Sequence, residues 1–196
     1  MKQALLTFIK NPEKGKVKTR LAKTIGEDKA LAIYKTLLEH TRKIALGINA
    51  DRFLFYSQRI NPTDNWSTAY FIKRVQADGD LGSKMQEAFR YAFQTHQKVV
   101  IIGSDCASLT PSIVQAAFKQ LDEYDFVIGP ALDGGYYLLG MNAFYSVVFE
   151  GIAWSTATVL AETQSIIRSL QKSFYLLPAL SDIDYEEDWE KYGWEL

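Results

Sequence analysis

The chain has 196 residues, 47% of them hydrophobic, with a formal net charge of −1, so one globular domain spanning 1–196 with a sizeable core is expected, and a nucleic-acid footprint or an anionic-membrane surface is not. One cysteine excludes an internal disulfide and a cysteine-rich zinc site; two histidines, His40 and His96, are too few for a histidine metal site and read as ordinary surface or boundary residues. No apolar run has the length to span a bilayer and no secretory signal is visible, so a cytoplasmic location is the simplest expectation.

Ala4–Ile9 is a short apolar run and reads as the first strand. Lys10–Leu21 follows as a loop marked by Asn11-Pro12 and Gly15, and a helical pattern begins near Thr19 and breaks at Gly26. The loop carries Lys10, Lys14, Lys16, Lys18 and Arg20. A glycine-containing, cation-rich loop after the first strand is where α/β folds cradle phosphates. Its backbone N–H groups and cations can neutralise a pyrophosphate or triphosphate. The spacing is not that of a P-loop, and a solvated basic loop is the competing reading.

Asp28–Leu46 reads as a helix with Leu31, Tyr34, Leu37, Leu38, Thr41 and Ala45 on one face. Asp51–Tyr56 is the next strand, 57–68 a loop, and Tyr70–Val75 a short strand. The loop Gln76–Met85 contains Gly79, Asp80 and Gly82 and leads into a helix through Phe93. It either lines a nucleotide pocket or is a plain helix-opening turn capped by Asp80.

Val99-Val100-Ile101-Ile102 are four β-branched residues in a row, the pattern of a strand buried on both faces. Gly103-Ser104-Asp105-Cys106 follow, and Thr110-Pro111 opens an amphipathic helix, Ile113–Tyr124. Asp105 is thereby placed at the carboxyl end of a central strand, the edge where open α/β sheets bind ligands. A carboxylate there can hold a hard cation against phosphates, or it can cap a loop.

Phe126–Pro130 reads as a strand, Asp133-Gly134-Gly135 as a tight turn, and Tyr136–Leu139 as a strand, together an ordinary hairpin or a second acid at the site. Phe144–Ile152 is apolar and partly helical. Trp154-Ser155-Thr156 precede a helix, Ala157–Leu170, with Ser155 or Thr156 as cap, and Phe174–Pro178 is the last strand. Asp182 and Asp184 flank Ile183, so both acids share one side of an extended segment. Glu186, Glu187 and Asp188 read as the acidic first turn of a final helix. Trp189 and Trp194 suit a dimer contact or the core. The alternation predicts a three-layer α/β/α sandwich with a mostly parallel sheet, mixed if Tyr136–Leu139 runs against its neighbours.

Taken together, Phe8–Pro12 with Gly15–Leu21, Gly79–Gly82, Gly103–Cys106, Gly129–Gly140, Trp154–Thr156 and Asp182–Asp184 resemble, in order, the DUF2064 glycosyltransferase-like family. That family belongs to the GT-A nucleotide-diphospho-sugar transferase superfamily and is similar to the 2-phospholactate and molybdenum-cofactor guanylyltransferases. Ala107 stands where the family usually has proline. The resemblance implies the GT-A fold and a Mg²⁺ or Mn²⁺ ion near Asp105, Asp133 and Asp184. It implies Asp105, Asp133 and Lys18 as the catalytic groups, with Asp133 alternatively a base on an acceptor hydroxyl. Candidate nucleotide and phosphate contacts are Lys10, Gly15, Lys18, Thr19, Arg20, Gly79, Asp80, Gly82 and Ser104. Candidate substrate contacts are Gly134, Gly135, Tyr136, Trp154, Ser155 and Thr156. Three functions are implied: glycosyl transfer from a nucleotide sugar to a small-molecule acceptor, joining of an NTP to a small phosphorylated substrate, and nucleotide binding without turnover. A homodimer is allowed.

Overall fold

The computed structural model describes residues 2–196. In chain order these form β1 (Gln3–Ile9), α1 (Thr19–Ile25), α2 (Glu27–Leu46), β2 (Asp51–Tyr56), β3 (Ile72–Val75), α3 (Leu81–Ala92) and β4 (Lys98–Ile102). Next come α4 (Pro111–Gln120), β5 (Phe126–Pro130), β6 (Tyr136–Met141), a 3₁₀ turn (Ser146–Phe149), α5 (Val159–Ser169), β7 (Phe174–Leu176) and α6 (Glu186–Tyr192). The seven strands lie in the order β3-β2-β1-β4-β6-β5-β7. All pair in parallel except β6, which runs against both β4 and β5. The expected mixed, mostly parallel sheet is what forms.

Side-chain alternation along the strands feeds two cores. On one face Leu5, Ile9, Val100, Ile102 and Leu138 meet Tyr34 and Leu38 of α2 and Val114 and Phe118 of α4. On the other, Leu6, Phe53, Phe55, Ile101 and Leu139 meet Met85 and Phe89 of α3 and Ile167 of α5. Every residue of β4 is buried, as its β-branched run requires. Just before β4, His96 keeps the boundary position expected of it but is buried and not at the surface. It is only 5% exposed, and its Nε2 lies 2.9 Å from the Asp51 carboxylate.

A third, smaller core gathers Leu21, Ala30, Ile33, Leu37, Ala107 and Ile183, with Trp189 and Trp194 packed on it. The two tryptophan rings lie 5.4 Å apart and Trp194 also faces His40. Both therefore pack within this chain. Ala107 fills a place in this core, so its small side chain suits the site where proline was expected.

Candidate active site

The loops at the carboxyl ends of β1, β4 and β5 converge with the segment before α6. Two bolts fix the first of them. The Tyr34 hydroxyl accepts the Lys10 N–H at 2.8 Å, donates to the Lys10 carbonyl at 3.2 Å and lies 3.3 Å from Ser104 Oγ. It thus ties the end of β1 to the loop after β4, and burial pushes its pKa above the ordinary phenol range. Asn11, 6% exposed, accepts the Gln58 N–H at 3.1 Å and donates to the Arg59 carbonyl at 2.8 Å. Between these bolts and α1 the basic loop turns, with Lys18 in the left-handed region at φ 48° as it meets the helix.

That backbone costs about 1–2 kcal/mol for a non-glycine residue, and it turns the Lys18 side chain inward. The Lys18 ammonium lies 2.7 Å from Asp105 Oδ1 and 3.6 Å from Asp184 Oδ1, on a side chain only 4% exposed. Arg20 meets the other Asp184 oxygen at 3.0 Å. Of the remaining loop cations, Lys14 pairs with Asp28 and Lys16 with Glu13. Lys10 makes no ion pair among the described residues.

The late acids reach Asp105 through Ile183, whose N–H donates to the Asp105 carbonyl at 2.9 Å. Ile183 is fully buried in the third core, worth about 1.5–3 kcal/mol. It anchors the segment that carries Asp182 and Asp184 beside Asp105. Asp182 shows the strain of that arrangement. Burial pushes its carboxyl up to about 7, the Asp105 charge adds to this, Lys18 opposes it, and Asp133 and Asp184 add smaller pushes. Its proton is bound more tightly folded than unfolded. The associated stability is therefore complete below the unfolded value near pH 4 and is lost as the pH rises to about 7. Asp182→Asn should match the parent near pH 4 and exceed it at pH 8 by on the order of 1–3 kcal/mol without added metal. Urea unfolding at both pH values measures this, and an equal difference at both would refute it.

The β5–β6 hairpin supplies the facing wall. Asp133 Oδ1 accepts the Gly135 N–H at 2.9 Å, closing the turn. The Gly134 carbonyl accepts the Leu160 N–H at 2.9 Å, which seats α5 on the turn. Neither residue expected to cap α5 does so. Ser155 takes a left-handed conformation at φ 65°, Thr156 Oγ1 donates to the Ala153 carbonyl at 2.7 Å, and the helix starts after Thr158. The chain is held over the cleft instead of winding early. Trp154 then packs edge-on to Tyr136 and against Gly82, where an added Cβ would come within 2.2 Å of its Nε1.

These parts enclose a cleft of about 550 Å³. Of the residues anticipated from sequence, Lys10, Lys18, Thr19, Arg20, Asp105, Asp133, Gly135, Tyr136, Trp154, Ser155, Thr156 and Asp184 line it. Gly15, Gly79, Asp80, Gly82, Ser104 and Gly134 stand outside its lining. Asp80 caps α3 by accepting the Ser83 N–H at 2.8 Å, Ser104 is engaged with Tyr34, and Gly82 and Gly134 make room for their neighbours. The lining also includes Tyr34, Leu81, Val159 and Asp182. Tyr34 and Val159 were legible only as apolar helix residues. Asp182 had a signal, the alternation with Ile183.

The anticipated metal trio is not gathered into one coordination sphere. Among the described residues no three His, Cys, Asp or Glu side chains stand close enough to share an ion. The reason is local: the Lys18 ammonium lies between Asp105 and Asp184, and one Asp133 oxygen is taken up by its own turn. Among the described residues no helix is long and apolar enough to cross a membrane.

Residues 40–156 match the model of a family described as uncharacterised protein conserved in bacteria, DUF2064. A solved protein of Desulfovibrio desulfuricans G20, provisionally named a nucleotide-diphospho-sugar transferase, is 34% identical. It superposes with a TM-score of 0.87 over 94% of this chain and 84% of its own. A 2-phospho-L-lactate guanylyltransferase of Methanobrevibacter ruminantium is 23% identical over 185 residues, 87% of this chain and 77% of that protein. The same fold, with a TM-score of 0.54 and 13% identity over 98% of this chain and 97% of the other, occurs in a Mycobacterium tuberculosis H37Rv protein solved as a complex with manganese.

Proposed function

Because this chain belongs to the DUF2064 family, and its cleft sets a basic wall against an acidic one, we propose that it is a metal-dependent transferase of the nucleotide-diphospho-sugar transferase type. It moves a glycosyl group from a nucleotide sugar to a small-molecule acceptor. The observation that carries this is the meeting of Lys10, Lys16, Lys18 and Arg20 with Asp105, Asp133, Asp182 and Asp184 around one cleft. The named relative of Desulfovibrio desulfuricans supports the same class.

The chemistry of the donors, though not the spacing in which they stand, suits a hard divalent cation. The set offers only carboxylate oxygens, Asp105 and Asp184 already share one cation in Lys18, and Asp182 carries a raised proton affinity from burial and its acidic neighbours. Asp105 and Asp184 would hold Mg²⁺ or Mn²⁺, with Asp133 on the facing wall; the manganese-bound protein of the same fold supports this choice. Such an ion, when bound, neutralises charge gathering on the departing phosphate. Lys10, Lys18 and Arg20 bind the phosphates and offset the same charge from the other side. Tyr136, Trp154 and Thr156 bound the space left for the transferred group. Asp133 stands on the wall facing the cations and can accept the acceptor's hydroxyl proton.

A second reading, nucleotidyl transfer from an NTP to a small phosphorylated substrate, is favoured by the guanylyltransferase relative and by the number of cations in the cleft, which suits a triphosphate. Thermal melts with nucleotide sugars and with NTPs, each with and without Mn²⁺, separate the two. A ligand at a hundred times its dissociation constant adds about 2.7 kcal/mol, or roughly 5–10 °C for a chain of this size. A metal-dependent rise with a UDP- or GDP-sugar alone is expected. A rise confined to an NTP would move the assignment to nucleotidyl transfer, and no rise with any of them would sink both readings.

A further inference from the structure

Lys18 does more in this arrangement than contact phosphate. We propose that it is a resident counter-cation, occupying the acid pair in the absence of ligand and coupling metal binding to arrival of an anionic substrate. The inference rests on the metal-dependent reading given above and adds an order of binding to it.

Three observations carry it. First, the ammonium lies 2.7 Å from Asp105 Oδ1 and 3.6 Å from Asp184 Oδ1. An ion on either of those oxygens would face the ammonium at close range, and two cations repel. Second, the Lys18 side chain is 4% exposed while Asp105 and Asp184 are 41% and 36% exposed. Removing its anionic partners leaves a buried charge unpaired, which proteins avoid. Third, Lys18 holds a left-handed backbone at the start of α1, φ 48°, and lines the same cleft as Lys10 and Arg20. The side chain is thus aimed at the acids from a position bordering the phosphate-binding wall. A phosphate entering there gives the ammonium a new partner and frees the two carboxylates together. Arg20, 59% exposed and 3.0 Å from Asp184, follows the same exchange. Each ligand thereby strengthens the other, because both act on one ion pair.

Manganese alone is the probe, with binding read by the electron paramagnetic resonance signal of free Mn²⁺ and folding checked by circular dichroism. Lys18→Met removes the charge and keeps the apolar stem; it should bind Mn²⁺ at least tenfold more tightly than the parent. Lys18→Arg keeps the charge and should stay as weak as the parent. If Lys18→Met fails to fold, Lys18→Gln carries the same expectation. A folded neutral variant with parental or weaker Mn²⁺ affinity overturns the proposal, as does an Arg variant that gains affinity equally. Failure here is distinguishable from failure of the functional reading. A parent that melts higher with Mn²⁺ and nucleotide, beside a neutral variant with no gain, retains the transferase reading and discards the counter-cation. A tenfold gain beside a parent blind to every nucleotide does the reverse.

Discussion

Asp105→Asn is expected to weaken metal-dependent nucleotide binding at least a hundredfold while the protein stays folded. The side chain is 41% exposed and its partner in the wall is Lys18 at 2.7 Å. The structural tie at this position is made by its backbone carbonyl, which accepts the Ile183 N–H and survives the substitution. The fold loses one partner of the 4% exposed Lys18 ammonium, which keeps Asp184 at 3.6 Å, so the cost to stability is about 1–3 kcal/mol. The site loses far more. Losing a residue that only supports a metal ligand costs about 10–100-fold in metal affinity, and losing one of the carboxylates that would hold the ion costs more. The loss is compounded because the amide cannot supply the negative charge that both Lys18 and a divalent cation need. Calorimetric titration of nucleotide with and without Mn²⁺, beside a thermal melt, measures both quantities. Unchanged Mn²⁺-dependent binding in a folded variant would show that the anchoring acid is another member of the cluster.

How far the sequence leads to this site depends on the range of the interactions involved. The strand Val99–Ile102 and the acid after it were legible because burial on both faces demands an unbroken β-branched run, and a parallel strand must end in a loop at the ligand edge. The Asp80 and Thr110 caps were legible because a cap is a contact three residues long. Tyr34 was not. Its spacing on α2 marks an apolar face, and only the packing of α2 beneath β1 aims its hydroxyl at Lys10 and Ser104. The sequence leaves the basic loop either a phosphate cradle or a solvated loop, and neither reading contains the pairing of Lys14, Lys16, Lys18 and Arg20 with Asp28, Glu13, Asp105 and Asp184. Two of those acids lie far along the chain, beyond any local pattern. The same holds for Ser155 and Thr156. Locally they are good caps, and the seating of Leu160 on Gly134 starts α5 later than they would.

That seating makes Gly134→Ala a substitution with a large expected cost to stability. Gly134 has φ +91°, and a Cβ there would lie 2.2 Å from the Ala157 carbonyl oxygen and 2.7 Å from its carbon atoms. The conformation alone costs an L-residue about 1–2 kcal/mol. The clash is with main chain, which cannot rotate away as a side chain can, so overpacking adds about 1–3 kcal/mol. A total of about 2–5 kcal/mol corresponds to a melting point lower by roughly 5–15 °C. Two other glycines divide this total. Gly26 has φ +83° with open space around its Cβ position, so Gly26→Ala should show the conformational cost alone. Gly103, at the same sheet edge, has neither a left-handed backbone nor a neighbour within 4 Å, so Gly103→Ala should stay within about 1 kcal/mol of the parent. The order Gly134, then Gly26, then Gly103 in thermal melts is the expected outcome. A Gly134 variant no worse than the Gly26 variant would mean that the 155–157 segment yields freely. The wall carrying Trp154, Ser155 and Thr156 would then be a movable flap rather than a fixed face of the cleft.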